Sequence, residues 1–374
     1  MPLIRFARLP GLCSLLLLLA LPALPAATTA ADVVSPEIAP DHRVTFRMFA
    51  PKAAEVSVTG QWDDNTPHAM ARDADGVWSV TVGPIAPDYW IYNFVVDGVS
   101  FADPVNPQVK LRMRTSASLL DLPGNPPMPW DARADVPHGA IDINWHNSKV
   151  TGDTRSFYVY TPPGYDASAA TRYPVLYLIH GSNGTAADWT AAGRANFMAD
   201  NLLAEKWMVP MIIVMPAGHA LPFTGKPQPA NGPLFDRYLL EEVIPAVEKK
   251  YRVLADRDHR AVMGLSMGGA HALNAGLGHP DLFAWVGAFS SGPVPDFAAR
   301  FQALLADPKG TNARYKLLWI GCGRQDPAFA RSAEFDAILT KSGVTHTFFA
   351  MEGVHNYVVW RRCFLETAPL LFRP

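Results

Sequence analysis

Hydrophobic and polar positions alternate in two different ways along the chain. Between about residues 34 and 122, the runs HRVTFRMFAP, AEVSVTG, GVWSVTVG and YWIYNFVVDG are short and rich in β-branched and aromatic residues. Several alternate at period two, as strands with one buried face do. Turn chemistry separates them, as in DADG at residues 73–76 and at the Asp97–Gly98 pair. No helical period appears, so residues 32–122 are expected to form a small β-sandwich. Residues 123–138 then carry Pro123, Pro126, Pro127, Pro129 and Pro137. Proline fixes φ and removes a backbone donor, so this stretch reads as an extended linker or strap.

From residue 139 to 374 the pattern changes. YPVLYLIHG and PMIIVMPAG are near-continuous apolar runs ending at glycine turns, the mark of parallel strands buried on both faces. HRAVMGLS, AWVGAFSSG and YKLLWIGCG repeat the pattern, with helical stretches such as RANFMADNLLAEK and LFDRYLLEEVIPAVEKKY between strands. In the latter, Tyr238, Leu239, Val243, Val247 and Tyr251 share one helical face. Strand–helix alternation of this length predicts an α/β fold with a mainly parallel sheet.

The candidate chemistry sits at one strand-to-helix junction. Ser266 lies in Gly-Leu-Ser-Met-Gly, residues 264–268, after the strand pattern HRAVMG and before the helix start GGAHALNAG. That context is the one a nucleophile elbow of the α/β-hydrolase fold requires. A serine hydroxyl needs a base, and the base needs an acid to fix its tautomer. In this fold they follow in the order Ser, Asp or Glu, His, each after a strand. Asp326 follows YKLLWIGCG and His355 follows THTFFA, so these two are the expected acid and base. Asp307 is a rival acid but stands in a helix-end loop, and His346 is a rival base that reads as strand interior. The oxyanion donors are expected from the backbone N–H of Met267 and of Ser182, the latter in the loop YLIHGSNGTAADW. His180 is expected to organise that loop. No dinucleotide, phosphate-binding or zinc-protease motif is present, so the expected reaction is hydrolysis through an acyl-enzyme, with no cofactor and no metal.

Composition narrows the partners. Hydrophobic residues make up 49%, charged residues 18%, and the formal net charge is −2, which offers nucleic acid or an anionic membrane little attraction. The first 31 residues have Arg5 and Arg8, a leucine-rich core and then small residues. That is the layout of a secretory leader cleaved between residues 26 and 31, so a periplasmic or extracellular protein is expected. Cys322 and Cys363 are then the remaining cysteines; their spacing suits no zinc site, and whether they pair is left open.

These residues also carry a resemblance. The stretch from YPVLYLIHGSNG to PMIIVMPAG, together with RAVMGLSMGGAHAL, HPDLFAWVGAFSSG, GCGRQD and GVHNYVVWRR, resembles carbohydrate esterase family 1, the feruloyl and acetylxylan esterase group. The family's triad falls on Ser266, Asp326 and His355. The N-terminal runs VSVTGQW, DGVWSVTV, YWIYNFVVDG and DPVNP resemble glycogen-binding-type carbohydrate-binding modules with an immunoglobulin-like sandwich. The resemblance implies an exported feruloyl esterase acting on acylated polysaccharide, with acetylxylan esterase, siderophore esterase or a non-catalytic binding protein as alternatives. Two departures stand out: Ser182-Asn183-Gly184 replaces a smaller, more glycine-rich run, and Tyr357 stands where tryptophan is common. Phe223, Tyr357, Trp360 and Trp62 are the candidate substrate contacts. Trp62, in the turn GQWDDN, is the candidate sugar platform, whereas Trp78 and Trp90 read as core. The loop at residues 218–235 contains Phe223 but lacks the clustered Arg or Lys that a ferric siderophore would want.

Overall fold

The computed structural model describes residues 32–226 and 228–373; the leader expected at the N-terminus lies outside them. The first part is a two-sheet antiparallel sandwich. One sheet runs Glu37–Ile38, Val44–Phe49, Val77–Val82, Ala71–Arg72; the other runs His68–Ala69, Val56–Gly60, Asp88–Val96, Ala117–Leu122, Val109–Lys110, with Val99–Phe101 paired to Asp88–Val96. Val44–Phe49 and Val56–Gly60 alternate buried and half-buried positions, and Val44, Phe46, Val58, Tyr92, Phe94 and Leu120 fill the space between the sheets. Trp78 and Trp90 belong to this core, as their strand positions imply.

Asp88–Val96 differs from its neighbours in being buried on both faces over residues 88–94. Trp90, Tyr92 and Phe94 face the sandwich core, whereas Tyr89 and Ile91 join Ala117 and Leu119 in a core shared with the second part of the chain. The sandwich is therefore docked face-on. The proline-rich segment straps the docked parts together. Asp131 accepts from Gly124 N and Met128 N, and Asn201 donates to Pro129 O and Asp131 O.

The second part is an eight-stranded sheet in the order Ala140–Asn147, Thr154–Thr161, Ile212–Pro216, Val175–Ile179, Arg260–Leu265, Trp285–Phe289, Leu317–Gly323, Thr347–Met351. The first two strands are antiparallel additions; from Ile212–Pro216 onward every pairing is parallel. Helices Ala195–Ala204 and Tyr357–Thr367 cover one face and Met267–Gly278 and Phe329–Lys341 the other. The long helix expected from residue 234 to 251 forms, but in three pieces: Asn231–Tyr238, a π-turn at Leu239–Val243, and Ile244–Lys250. Pro245 lacks an N–H and its ring would press on the carbonyl four residues back, and the wider π-turn absorbs both defects. Tyr238, Leu239, Val243, Val247 and Tyr251 are all buried on its inner face. Cys322 and Cys363 are both buried and free.

Candidate active site

The parallel strands end together, and the chain reverses there to form the elbow. Ser266 sits at φ 53°, ψ −116°, a left-handed backbone that a side-chain-bearing residue rarely adopts. Its N–H donates to Phe289 O at 2.8 Å, and helix Met267–Gly278 starts at the next residue. The flanking glycines are there for space. A Cβ on Gly268 would come within 2.4 Å of Ile179 O, and one on Gly264 within 2.4 Å of Gly268 O.

His355 follows the strand Thr347–Met351 and Asp326 follows Leu317–Gly323. His355 Nε2 lies 3.0 Å from Ser266 Oγ, and its Nδ1 lies 2.9 Å from both Asp326 oxygens. The acid is buried while the imidazole is over a third exposed. Burial pushes the Asp326 carboxyl up, but hydrogen bonds from His355, the Ser290 hydroxyl and Ala328 N–H outweigh it and hold it below the ordinary carboxylate value. An ionised Asp326 accepts Nδ1–H, which leaves Nε2 as the acceptor facing the serine. The rivals stand elsewhere: Asp307 caps helix Pro308–Arg314 through Gly310 N. His346 precedes the strand Thr347–Met351 instead of lying within it, and it is paired to Asp336.

The loop opposite the elbow is tightly tied. Gly181 packs against Leu265 and Ser266, with no room for a Cβ on the Leu265 side. Gly184 N donates to Gly181 O. His180 donates from Nδ1 to Gly181 O and accepts Gly218 N–H at Nε2, 2.8 Å each. Burial depresses its pKa to about 4, so it stays neutral and organises the loop. His219 donates from Nε2 to Ser182 O at 2.6 Å. Met267 N–H begins a helix, where no intrahelical partner exists for it, and Ser182 is exposed at the turn.

Three substrate-contact expectations are corrected by packing. Tyr357 is only 2% exposed, its hydroxyl donating to Asp188 and its ring wedged between Trp189 and Trp360. Trp360 is buried too; its ring meets the His355 ring edge-on at 4.9 Å and its Nε1 donates to Ser290 Oγ. It backs the imidazole instead of lining a pocket. Trp62 stacks on Phe46 at 5.4 Å and lies over Gly60, whose missing Cβ leaves it room, so it plugs the end of the sandwich core instead of offering a flat face. Phe223 is half-buried beside His219, at 5.2 Å between ring centroids, and remains at the site.

Other residues at the site carry no motif. Ser290 joins Trp360 to Asp326; the SSG after its strand was the available signal. From the sandwich come Met113, whose N–H donates to Asn183 O, and Arg114, which donates to Gly225 O and lies over Phe223. Among the described residues no three His, Cys, Asp or Glu side chains gather as a metal site.

The comparisons with known proteins agree with this geometry. The Esterase family model matches residues 148–371, and the model for carbohydrate-binding module 48, the isoamylase N-terminal domain, matches residues 33–111. An endo-1,4-beta-xylanase/feruloyl esterase of Xylanibacter ruminicola is 30% identical over 334 residues, 88% of this chain. The chain spans 44% of that relative's length. The CE1 ferulic acid esterase of Anaeromyces mucronatus superposes with a TM-score of 0.57 at 25% identity, over 65% of this chain and 94% of that one. The enterobactin esterase of Shigella flexneri shares the fold with a TM-score of 0.64 at 20% identity, over 87% and 92%. A strained serine at an α/β-hydrolase elbow, a relayed histidine and these matches lead to one conclusion: the chain belongs to the Esterase family of carboxylic ester hydrolases, with a carbohydrate-binding module 48 at its N-terminal side.

Proposed function

We propose that this esterase is exported and releases hydroxycinnamic acids such as ferulate from xylan side chains. The observation that carries the reading is the single alignment with the xylanase/feruloyl esterase, which at 88% of the chain runs through both module and esterase. In this reading Ser266 Oγ attacks the ester carbonyl as His355 Nε2 takes its proton, with Asp326 steadying the imidazolium. The N–H groups of Met267 and Ser182 receive the oxyanion. His355 then protonates the leaving sugar oxygen, and water resolves the acyl-enzyme by the same path in reverse. Phe223 gives a flat acyl ring an aromatic neighbour, because His219 ties the Phe223 loop to Ser182. The leader pattern around Arg5 and Arg8 supports export.

A second reading, a catecholate siderophore ester as substrate, has one specific support. The cations missing from the loop at residues 218–235 are brought by the sandwich: Arg114 reaches Gly225, and Arg112 stands two residues before it. Initial rates on methyl ferulate, p-nitrophenyl acetate and a catechol-seryl ester, with Ser266→Ala beside wild type, separate the readings. Ser266-dependent ferulate release in preference to the other two supports the first. Preference for the catechol ester replaces it with the second, and acetate release alone moves the substrate to a small acyl group. Cell fractionation tests export.

A further inference from the structure

Two buried ion pairs cross from the sandwich into the esterase fold, and neither belongs to the Ser266 relay. Lys110 Nζ meets Asp188 Oδ2 at 2.6 Å with both side chains at most 6% exposed, and Arg361 Nη2 meets Asp88 Oδ1 at 2.5 Å with both at most 3% exposed. Desolvating four charges is costly, and a module serving only as a tethered glycan anchor has no need of it. Where the pairs land is informative. Asp188 Oδ1 accepts the Thr185 N–H at 3.1 Å and the Thr185 hydroxyl at 3.3 Å, and its Oδ2 accepts Tyr357 OH at 3.2 Å. Thr185 follows directly on the turn at residues 181–184, and a Cβ on Gly184 would fall 2.3 Å from Asp188 Oδ2. Asp188 is thus the internal brace of the loop that carries Ser182. Three residues beyond Lys110, Met113 N–H donates to Asn183 O at 3.3 Å. Arg361, for its part, lies on the helix that begins two residues after His355 and also binds Ala192 O and Tyr89 O.

We propose that Lys110 is a positioning residue for ester hydrolysis: the sandwich supplies the cation that keeps the Asp188 brace anchored, so that the 181–185 loop holds its N–H donor where the oxyanion develops. Burial holds the Lys110 pKa below the ordinary lysine value, with Arg112 adding to the depression and the Asp188 contact opposing it, so Asp188 is the partner that favours the charged form there. The module therefore acts on esters that contain no sugar. The inference rests on acyl transfer at Ser266 but not on which acyl group is natural.

The test measures kcat and KM on p-nitrophenyl acetate with full-length enzyme, normalised to active sites titrated with a fluorophosphonate. An oxyanion donor acts in the transition state, so its loss falls on kcat. Lys110→Met should lower kcat by about 100-fold with KM changed less than about threefold, and should weaken phenylboronic acid, a tetrahedral mimic, by a similar factor. Lys110→Arg should recover at least a tenth of the wild-type kcat, and the exposed Lys52→Met should equal wild type. If Lys110→Met fails to fold, the double variant Lys110→Gln/Asp188→Asn removes both members of the pair together. The proposal expects its kcat to stay at least tenfold down, and a wild-type kcat there would reduce the pair to mere glue and overturn the proposal. So would a Lys110→Met enzyme with kcat within about threefold of wild type. Ser266→Ala in the same assay tests the underlying chemistry separately: activity at the buffer level with normal Lys110 variants sinks the brace alone.

Discussion

Replacing Asp326 by asparagine separates orientation from mere presence at the site. The carboxylate is the meeting point of three donors: Ala328 N–H at 2.7 Å on Oδ1, the Ser290 hydroxyl, and His355 Nδ1 at 2.9 Å from both oxygens. An amide has one oxygen to offer. Kept on Ala328 N–H, that oxygen puts the amide NH2 at the second position, also 2.9 Å from His355 Nδ1, where an Nδ1–H meets a donor and a bare Nδ1 is met by one that can bond. The imidazole then protonates at Nε2 and presents N–H, not a lone pair, to Ser266 Oγ. Packing is otherwise unchanged, so KM and the melting temperature should move little, while kcat should fall by about 10⁴-fold, or about 5.5 kcal/mol of transition-state stabilisation. The assay is steady-state hydrolysis of p-nitrophenyl acetate from pH 6 to 9, with Asp307→Asn as the control. Asparagine caps a helix as well as aspartate does, so the control should match wild type in rate and lie within about 0.5 kcal/mol in stability. A loss below about 100-fold in Asp326→Asn, with Ser266→Ala inactive, would refute the orienting role.

Four further outcomes follow from the packing. Arg361→Met leaves buried Asp88 with only the longer Arg362 contact at 3.8 Å and should cost about 3 kcal/mol in urea unfolding, most of it regained in Asp88→Leu/Arg361→Met; an unchanged midpoint in the single variant would contradict this. Gly268→Ala forces a Cβ against the carbonyls of Ile179 and His180 and should cost about 3 kcal/mol or leave the chain insoluble, whereas an active, equally stable variant would show that the elbow relaxes freely. Burial raises the Asp236 carboxyl to about 7 from an ordinary 3.8, with Arg300 and Asn274 pulling against it. Its contribution is complete below about pH 4 and lost as pH rises through 7, so Asp236→Asn should equal wild type at pH 4 and exceed it by about 1–4 kcal/mol at pH 8, with flat pH dependence of the difference as the contrary result. Trp62→Ala should lower stability by about 2–3 kcal/mol as a core truncation does; lost xylan affinity at an unchanged melting temperature would restore the sugar platform.

The parts of this molecule that could be read along the chain are those whose cause is local. The elbow needs small residues on either side of Ser266 for steric reasons, and each parallel strand shows as an apolar run because helices cover both its faces. Strands Ala140–Asn147 and Thr154–Thr161 did not show this way, since they extend the sheet at its antiparallel edge and the outer one is largely exposed. Tyr357 and Trp360 share one motif with His355, and nearness along the chain says nothing of which side of the imidazole a ring takes. They lie behind it because their helix runs back into the core, capped by Asn356. Lys110 and Asp188 are 78 residues apart and each looks like an ordinary surface charge until the two parts of the chain meet. The meeting itself did leave a trace. In an isolated sandwich the strand YWIYNFVV would alternate, yet it is apolar at Tyr89 and Ile91 as well as at Trp90, Tyr92 and Phe94. A strand without alternation in an otherwise alternating sheet is covered on both sides, and in the structure the second cover is the esterase fold. The docked face was therefore legible from hydrophobicity, which needs no partner to be identified, while the charges that lock it were not, because a charge is informative only once its counter-charge is placed.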